Sequence, residues 1–155
     1  MGGAKSDGLP GAVLFACSLN AVRSPMASAL MRHLLGHAVR VESVGVHAGS
    51  LDPFAVEAMA ELGIEITGHR PRRFEDLEEP EDRTFDLVVS LSPEAHHKAL
   101  EFTRASGAPV EYWPTFDPTA CEGSREQRLD AYRAVRDTLF KRIRERFASG
   151  PPPGG

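Results

Sequence analysis

An apolar run at residues 12–16 ends directly at Cys17, and Arg23 follows after five intervening residues. An uninterrupted apolar run is typical of a strand that is covered on both faces of a parallel sheet. Ser24 and Pro25 then supply the capping residue and the first-turn proline of a helix, and the apolar residues that follow recur at helical spacing. This segment therefore predicts a strand, a tight loop and a helix start, in that order.

A loop of this length can turn its backbone N–H groups towards a common centre. The unpaired N–H groups and the positive dipole end of the next helix face the same point, so a tetrahedral oxyanion would be held there. The same field favours the thiolate form of Cys17, while Arg23 offers a planar fork that matches two phosphate oxygens. We interpret Cys17 as a nucleophile and Arg23 as a clamp that completes a phosphate-binding loop with the residues between them: Ser18, Leu19, Asn20, Ala21 and Val22.

The rest of the chain continues the alternation of strand and helix patterns. Further strands are expected at residues 39–44, 85–90 and 110–112. Further helices are expected after three capping residues: Asp52, Ser92 and Ser124. The helix after Asp52 is expected to bury Leu62, and the arginines of the last helix are expected to face water. The charges of residues 65–82 are interpreted mainly as a solvated loop.

This order of elements predicts an α/β fold. We expect a single three-layer domain in which helices flank a four-stranded parallel sheet, with a ligand site beyond the carboxyl ends of the strands. The domain is placed at residues 11–149 of the 155-residue chain, because one compact core fits this length. Tails rich in glycine and proline, at residues 1–10 and 150–155, are expected to be disordered.

Composition excludes several classes of function. The net charge of -4, without a polybasic patch, argues against a nucleic-acid partner. No apolar stretch approaches the roughly 18 residues that cross a bilayer, and the first residues are unlike a signal peptide, so we expect a cytoplasmic protein without a membrane partner. The two cysteines are far apart and no Cys/His cluster has ligand spacing, so we expect no disulfide framework, no metal and no cofactor.

A cysteine that displaces an alkoxide or phenoxide from phosphorus needs a separate proton donor. Asp117 is the candidate, because it lies in a rim loop, residues 113–123, just past the fourth predicted strand and hence at the same edge as Cys17. Pro114 and Pro118 stiffen the backbone around it. An isolated Asp-Pro pair is more typical of the start of a turn, but beside a phosphate-binding loop we interpret Asp117 as a general acid.

Together these residues resemble the low-molecular-weight protein tyrosine phosphatase family. The resemblance covers about residues 12–147 and rests on the first strand, the Cys-x5-Arg-Ser loop with its asparagine, the Pro-Met-Ala helix start, the Asp-Pro pair and the order of elements. It implies that Cys17 attacks phosphorus and forms a phosphocysteine while Arg23 and the loop amides hold the equatorial oxygens. Asp117 would protonate the leaving oxygen and then deprotonate the water that hydrolyses the intermediate.

The resemblance also implies supporting roles. Ser24 would donate a hydrogen bond to the sulfur, and Asn20 would adopt a left-handed conformation that shapes the loop. Ser43 and His69 match the serine and histidine that steady this asparagine in the family. The implied activity is metal-independent hydrolysis of phosphate monoesters, on a phosphorylated protein or a small aryl phosphate. Phosphate and vanadate are the implied inhibitors.

The chain departs from the family pattern at three places. Leu19 stands where the family usually has glycine, so an apolar side chain joins the rim of the pocket. Val22 replaces the second cysteine that eukaryotic members carry near the nucleophile. Thr119, Ala120 and Cys121 follow the acid where phosphotyrosine-directed members place tyrosines. Tyrosine phosphate specificity is therefore not implied by these positions.

Two alternative functions remain at this point. Thioredoxin-coupled arsenate reductases share the fold and the loop, and their final segment resembles residues 117–137. Their chemistry needs two further thiols, however, and residues 90–96, after the third strand, contain none. A non-catalytic oxyanion or phosphoprotein binder is the other alternative, with Leu19 closing the pocket. A nucleophile and an acid would give such a binder no benefit.

Overall fold

Four strands form a parallel sheet in the computed structural model, which describes residues 8–148. The strands are β1 (Ala12–Cys17), β2 (Arg40–Gly45), β3 (Leu87–Ser90) and β4 (Val110–Tyr112). They are arranged in the order β2-β1-β3-β4, so β1 is central, and the predicted four-stranded parallel sheet is confirmed. Residues 1–7 and 149–155 lie outside the described residues, and they include all of the predicted C-terminal tail and most of the predicted N-terminal tail. Leu9, which also belongs to the predicted N-terminal tail, packs against the core.

Strand β1 is buried along its whole length, as its continuous apolar run predicts. Its side chains alternate between two hydrophobic clusters, because successive residues of a strand point to opposite faces of the sheet. Val13, Phe15 and Cys17 belong to one cluster. Ala12, Leu14 and Ala16 belong to the other. The strand that leads to the phosphate-binding loop is therefore fixed from both sides.

Four α-helices cover the two faces. They are α1 (Arg23–Leu35), α2 (Pro53–Ala60), α3 (Pro93–Phe102) and α4 (Arg125–Ile143), and a π-helical turn, Arg144–Ala148, extends α4. Buried residues of α1, α2 and α4 share one cluster, and those of α3 belong to the other, which gives three layers. Short 3₁₀ turns occupy Gly36–Ala38, Phe74–Asp76, Pro80–Arg83 and Pro118–Ala120. Within residues 8–148, no helix is both long and apolar enough to cross a membrane.

Three of the four predicted helix starts are confirmed by their capping hydrogen bonds. Asp52 accepts from the Phe54 amide at 2.8 Å, and Ser92 accepts from the Ala95 amide at 3.2 Å. At the start of α4, Ser124 and Gln127 each accept from the other's backbone N–H, at 3.1 and 2.8 Å. These bonds satisfy N–H groups that the helix itself leaves without partners.

The predicted start of α1, at Pro25, is wrong by two residues, and Ser24 does not cap it. The helix already includes Arg23, the residue before it is Val22, and no side chain accepts from its first turn. The Ser24 hydroxyl instead contacts Cys17, Asn20 and the Val44 carbonyl. The first N–H groups of α1 are therefore not bound by a side-chain cap, unlike those of the other three helices.

Two predictions about burial are also wrong. Leu62 lies beyond the end of α2 and is 37% exposed, because the helix stops at Ala60. Arg136 of α4 is buried, unlike the other arginines of this helix, since its guanidinium donates to the Ala58 carbonyl and to Glu61, both at 2.8 Å. Hydrogen bonds from Arg133 and Arg136 lower the pKa of Glu61 to about 2, so these groups tie α4 to the end of α2 as ions.

The apolar stripe of α4 is confirmed, and it provides a direct test of the packing. Leu139 is buried in this stripe, whereas Leu100 of α3 is half exposed. We expect Leu139→Ala to lower the free energy of unfolding by about 2–5 kcal/mol through lost contacts and a cavity. The matched change Leu100→Ala should alter it by less than about 0.5 kcal/mol. Urea unfolding of both variants measures this, and equal losses would contradict the assigned core.

Candidate active site

The loop between β1 and α1 directs its carbonyl groups outward. Five successive carbonyl oxygens accept hydrogen bonds from outside the loop: Cys17 from the Val46 amide (3.1 Å), Ser18 from His47 (2.8 Å), Leu19 from Gly49 (2.9 Å), Asn20 from the His69 ring (3.1 Å) and Ala21 from Asp52 (3.2 Å). In a trans peptide the N–H points away from the C=O, so the N–H groups that follow these carbonyls face the opposite side, towards the loop centre. The Asn20 N–H accordingly lies 3.3 Å from the Cys17 sulfur. The loop therefore presents donors to an oxyanion.

Asn20 fixes the shape of this loop. It is fully buried, and its φ of 54° is the only positive φ of a non-glycine residue within residues 8–148. Its side-chain amide donates to Ser24 and Ser43 at 2.8 and 3.0 Å. Its side-chain oxygen accepts from the Arg72 amide at 2.9 Å and from His69 at 3.0 Å. All four hydrogen-bonding positions of the side chain are used, which holds the left-handed conformation in place.

His69 acts in this network as a neutral ring. Burial lowers its pKa below the ordinary value of 6.5, the hydrogen bond to Asn20 opposes this, and the nearby charges of Arg32 and Arg72 add to the lowering. Both of its acceptors on Asn20 are oxygens, so Nε2 must carry the hydrogen. Ser43 and His69 thus lie against Asn20, as the resemblance implies.

The Cys17 sulfur lies at the carboxyl end of β1, 2.9 Å from the Ser24 hydroxyl. The same hydroxyl is 3.3 Å from the Val44 carbonyl. A hydroxyl has one proton to donate, and a thiolate can only accept. When Cys17 is ionised, the Ser24 hydroxyl can therefore donate its hydrogen bond to the sulfur. When Cys17 is a neutral thiol, the thiol can donate to Ser24, and the Ser24 hydroxyl then donates to the Val44 carbonyl.

Arg23 joins the loop to the rim loop. Its buried guanidinium donates to the Thr115 carbonyl at 3.0 Å, and its other terminal nitrogen is 3.9 Å from the Asp117 carboxylate. A cleft of about 180 Å³ lies between these groups, lined by Cys17, Ser18, Leu19, Ala21, Val22, Arg23, Ser50, Asp52, Asp117 and Thr119. The structure therefore brings the predicted nucleophile, clamp and acid to one cleft.

Asp117 also opens a turn, as an Asp-Pro pair typically does, while its side chain lines the cleft. Its Oδ1 accepts from the Thr119 backbone N–H at 3.0 Å and from the Thr119 hydroxyl at 2.7 Å, at the start of the 3₁₀ turn. Its Oδ2 is the oxygen nearest Arg23. The side chain remains 46% exposed at the mouth of the cleft, where a leaving group would emerge.

Leu19 and Cys121 occupy different parts of this region. The Leu19 side chain is 48% exposed, lines the cleft and packs over Gly49, which has room for it because glycine has no Cβ. Cys121 is a free thiol at the end of the rim turn, with its sulfur near the Glu122 carbonyl at 3.5 Å. In the described part of the chain, no group of three metal-ligating side chains is placed to bind a metal ion.

Several residues that contact the site are not identified from the sequence. Arg72 belongs to a charged stretch interpreted as solvated, yet it bonds Asn20 through its amide and the Ser43 carbonyl through its side chain. Ser18 donates to Ser92, the cap of α3, at 3.1 Å. The contact of Thr119 with Asp117 could have been predicted, since Asp-x-Thr is a pattern in which side chains bond the local backbone.

A larger hollow of about 490 Å³ lies behind His69 and Arg72, away from Cys17.

Comparison with known families agrees with this geometry. The family model described as low molecular weight phosphotyrosine protein phosphatase matches residues 12–149. That range includes all four strands, the phosphate-binding loop and the rim loop. The chain therefore belongs to the low-molecular-weight phosphotyrosine protein phosphatase family.

Relatives within this fold carry different names. An arsenate reductase of Bacillus licheniformis is 34% identical over 137 residues, which cover 88% of this chain and 94% of the relative. The YwlE arginine phosphatase of Geobacillus stearothermophilus is 26% identical with a TM-score of 0.69, covering 86% of this chain and 88% of that one. An arsenate reductase in a phosphate-binding state is 27% identical with a TM-score of 0.66, covering 89% and 97%. The similarity thus extends to proteins of more than one activity.

Gly45 allows the loop to approach β2, and replacing it should disturb the site. A Cβ at this position would lie 2.7 Å from the Asn20 nitrogen and 2.9 Å from the Leu19 carbonyl carbon, which is too close for any side chain. We expect Gly45→Ala to lower the free energy of unfolding by about 1–3 kcal/mol and to weaken phosphate binding. Gly68→Ala, where an added Cβ meets nothing within 4 Å, is the matched control. Urea unfolding and phosphate calorimetry measure both effects, and identical behaviour of the two variants would contradict the close approach.

The lowered pKa of His69 predicts a dependence of stability on pH. Below about pH 6.5 the unfolded chain binds a proton at His69 that the folded chain binds only at lower pH, so stability is lost as the pH falls. We expect His69→Gln to lose less unfolding free energy than the parent between about pH 8 and pH 5.5. Denaturant melts at both pH values measure this. Equal losses in parent and variant would show that His69 titrates alike in both states.

Proposed function

We propose that the protein is a metal-independent phosphatase that hydrolyses phosphate monoesters through a phosphocysteine intermediate, with phosphotyrosine in proteins or small aryl phosphates as substrates. One observation carries this proposal: Cys17, Arg23 and Asp117 line the same cleft, beside loop N–H groups turned inward. Membership of the phosphatase family supports it. The proposal places the enzyme in the cytoplasm, where reducing conditions keep Cys17 as a thiol.

In the first step the phosphate group lies in the loop with its equatorial oxygens on the N–H groups and on Arg23. The Cys17 thiolate attacks phosphorus in line, the S–P bond forms and the P–O bond to the leaving group breaks. Asp117 gives its proton to the departing oxygen, which would otherwise leave as a costly alkoxide or phenoxide. The fixed donors stabilise the charge that the transferring phosphoryl group carries in the transition state.

In the second step a water molecule attacks the phosphocysteine. The Asp117 carboxylate accepts a proton from this water, the S–P bond breaks and Cys17 leaves as a thiolate. The Ser24 hydroxyl is 2.9 Å from the sulfur and donates to it as the negative charge returns. Inorganic phosphate is the product and binds the same loop, so phosphate and vanadate should compete with substrate.

Three features rank this function above the alternatives. Arsenate reduction through a relay of thiols needs cysteines near Cys17, and the segment after β3 has none, which leaves Cys121 as the one further thiol of the chain. A passive binder would need neither the sulfur nor the carboxylate at the mouth. Asp117 is half exposed beside Arg23, where it can meet a leaving group.

A phosphorylated guanidino group is a second candidate substrate. Asp52 and Asp117 both line the cleft, and two carboxylates favour a leaving group that carries positive charge. No aromatic side chain is among the cleft-lining residues, although aromatic walls would favour a phosphotyrosine ring. The similarity to YwlE arginine phosphatase adds support for this candidate.

We expect the parent protein to hydrolyse p-nitrophenyl phosphate with EDTA present. Cys17→Ser should lose several orders of magnitude in kcat, because a hydroxyl is a far weaker nucleophile than a thiolate. Cys121→Ser makes the same chemical change outside the cleft and should leave kcat unaltered. Asp117→Asn should lose less, and the loss should shrink as the leaving group improves. Steady-state kinetics with a series of aryl phosphates measures this.

Steady-state kinetics with phosphorylated peptides distinguishes the two substrate classes. A higher kcat/KM for a phosphotyrosine peptide than for a phosphoarginine peptide supports the aryl phosphate assignment, and the reverse order supports the guanidino candidate. Arsenate-dependent oxidation of reduced thioredoxin without phosphatase turnover would replace the proposal by arsenate reduction. Tight phosphate binding with no turnover of any substrate would indicate a non-catalytic binding protein.

A further inference from the structure

The two oxygens of the Asp117 carboxylate have different surroundings. Oδ1 accepts two hydrogen bonds, from the Thr119 backbone N–H at 3.0 Å and from the Thr119 hydroxyl at 2.7 Å. Oδ2 lies 3.9 Å from the Arg23 guanidinium, on the side of the phosphate-binding loop. The hydroxyl contact has the short distance that is typical of an O–H donor on a charged oxygen.

This asymmetry decides where a proton can sit on the carboxyl group. An oxygen that already accepts two hydrogen bonds has no lone pair free for a proton, because a carboxylate oxygen has two acceptor positions. The proton of the acid form is therefore directed to Oδ2, the oxygen that faces the loop. A carboxyl group without this constraint could carry its proton on the oxygen that faces away from the leaving group.

The turn that holds Thr119 is itself well fixed. The Ala120 amide donates to the Asp117 carbonyl and the Cys121 amide to the Pro118 carbonyl, both at 3.1 Å. Pro118 is buried beneath the turn and fixes its first φ angle. Thr119 therefore reaches Asp117 from a rigid position, and it also lines the cleft.

We propose that Thr119 is a positioning residue, whose hydroxyl holds Asp117 with Oδ1 occupied and Oδ2 presented to the leaving group. The role rests on the proposed phosphatase function. When the S–P bond forms and the P–O bond breaks, the proton moves from Oδ2 to the departing oxygen and the carboxylate stays bound to Thr119. In the second step Oδ2 accepts a proton from water, so the same oxygen serves in both directions.

Two substitutions separate this role from a purely structural one. Thr119→Val keeps the shape of the side chain and the backbone N–H, but it removes the hydroxyl donor. Thr119→Ser restores the hydroxyl on a smaller side chain. Because Thr119 is on an exposed turn, both variants should fold like the parent, and their thermal midpoints check this.

We expect Thr119→Val to lower kcat/KM for phenyl phosphate by about threefold to tenfold, since one charge-assisted hydrogen bond to the acid is lost. The loss should be smaller with p-nitrophenyl phosphate, whose leaving group needs less protonation. The inhibition constant of inorganic phosphate should stay within about twofold of the parent value, because the loop itself is unchanged. Thr119→Ser should restore kcat/KM for phenyl phosphate.

The opposite results would overturn the role. Thr119→Val with parent kinetics on both substrates would show that the hydroxyl is dispensable. Equal losses on both substrates together with weaker phosphate inhibition, or no recovery in Thr119→Ser, would show a structural effect on the cleft. A parent that hydrolyses neither substrate would overturn the proposed function and this role together, whereas an active parent with an unaffected valine variant overturns the role alone.

Discussion

The site depends on hydrogen bonds that pull five consecutive loop carbonyls outward. Because each peptide unit carries its N–H opposite its C=O, binding the oxygens on the outside leaves the donors facing inward. The acceptors are held by the segment after β2 and by His69, and this segment can approach because residue 45 is a glycine. The inward orientation of the loop N–H groups thus follows from how β1 and β2 continue beyond the sheet, with Cys17 and Gly45 in register as the last pair.

The buried polar groups behind the loop form a closed network. Asn20, Ser24 and Ser43 are all buried, and their hydrogen-bonding groups are partnered by one another, by His69 and by Arg72. Within residues 8–148 no buried side-chain nitrogen or oxygen lacks a partner. Unpaired polar groups in such a place would be costly, whereas a fully paired network selects one conformation. Rigidity here keeps the donors in position before an anion arrives, which is what electrostatic preorganisation requires.

The sequence predicts much of this fold because local signals agree with one another. The apolar run of β1, the caps Asp52, Ser92 and Ser124, and the stripe of α4 each act through neighbours in sequence. Ser24 shows the limit of such signals, since a serine before a proline favours a cap but a cysteine brought close by the fold takes its hydroxyl. The roles of Arg72 and Arg136 also could not be predicted from sequence, because they depend on contacts that only the fold creates. Their partners are distant in sequence, so nothing local distinguishes them from solvated charges.

The contact between Arg23 and the Thr115 carbonyl makes one guanidinium common to the loop and the rim. The energy of holding an anion and the energy of ordering residues 113–123 are therefore linked, and such linkage is reciprocal. If a bound anion favours the ordered rim by some factor, the ordered rim raises the affinity for that anion by the same factor. A cation placed at this junction thereby lets changes elsewhere in the rim tune the affinity of the loop for an anion.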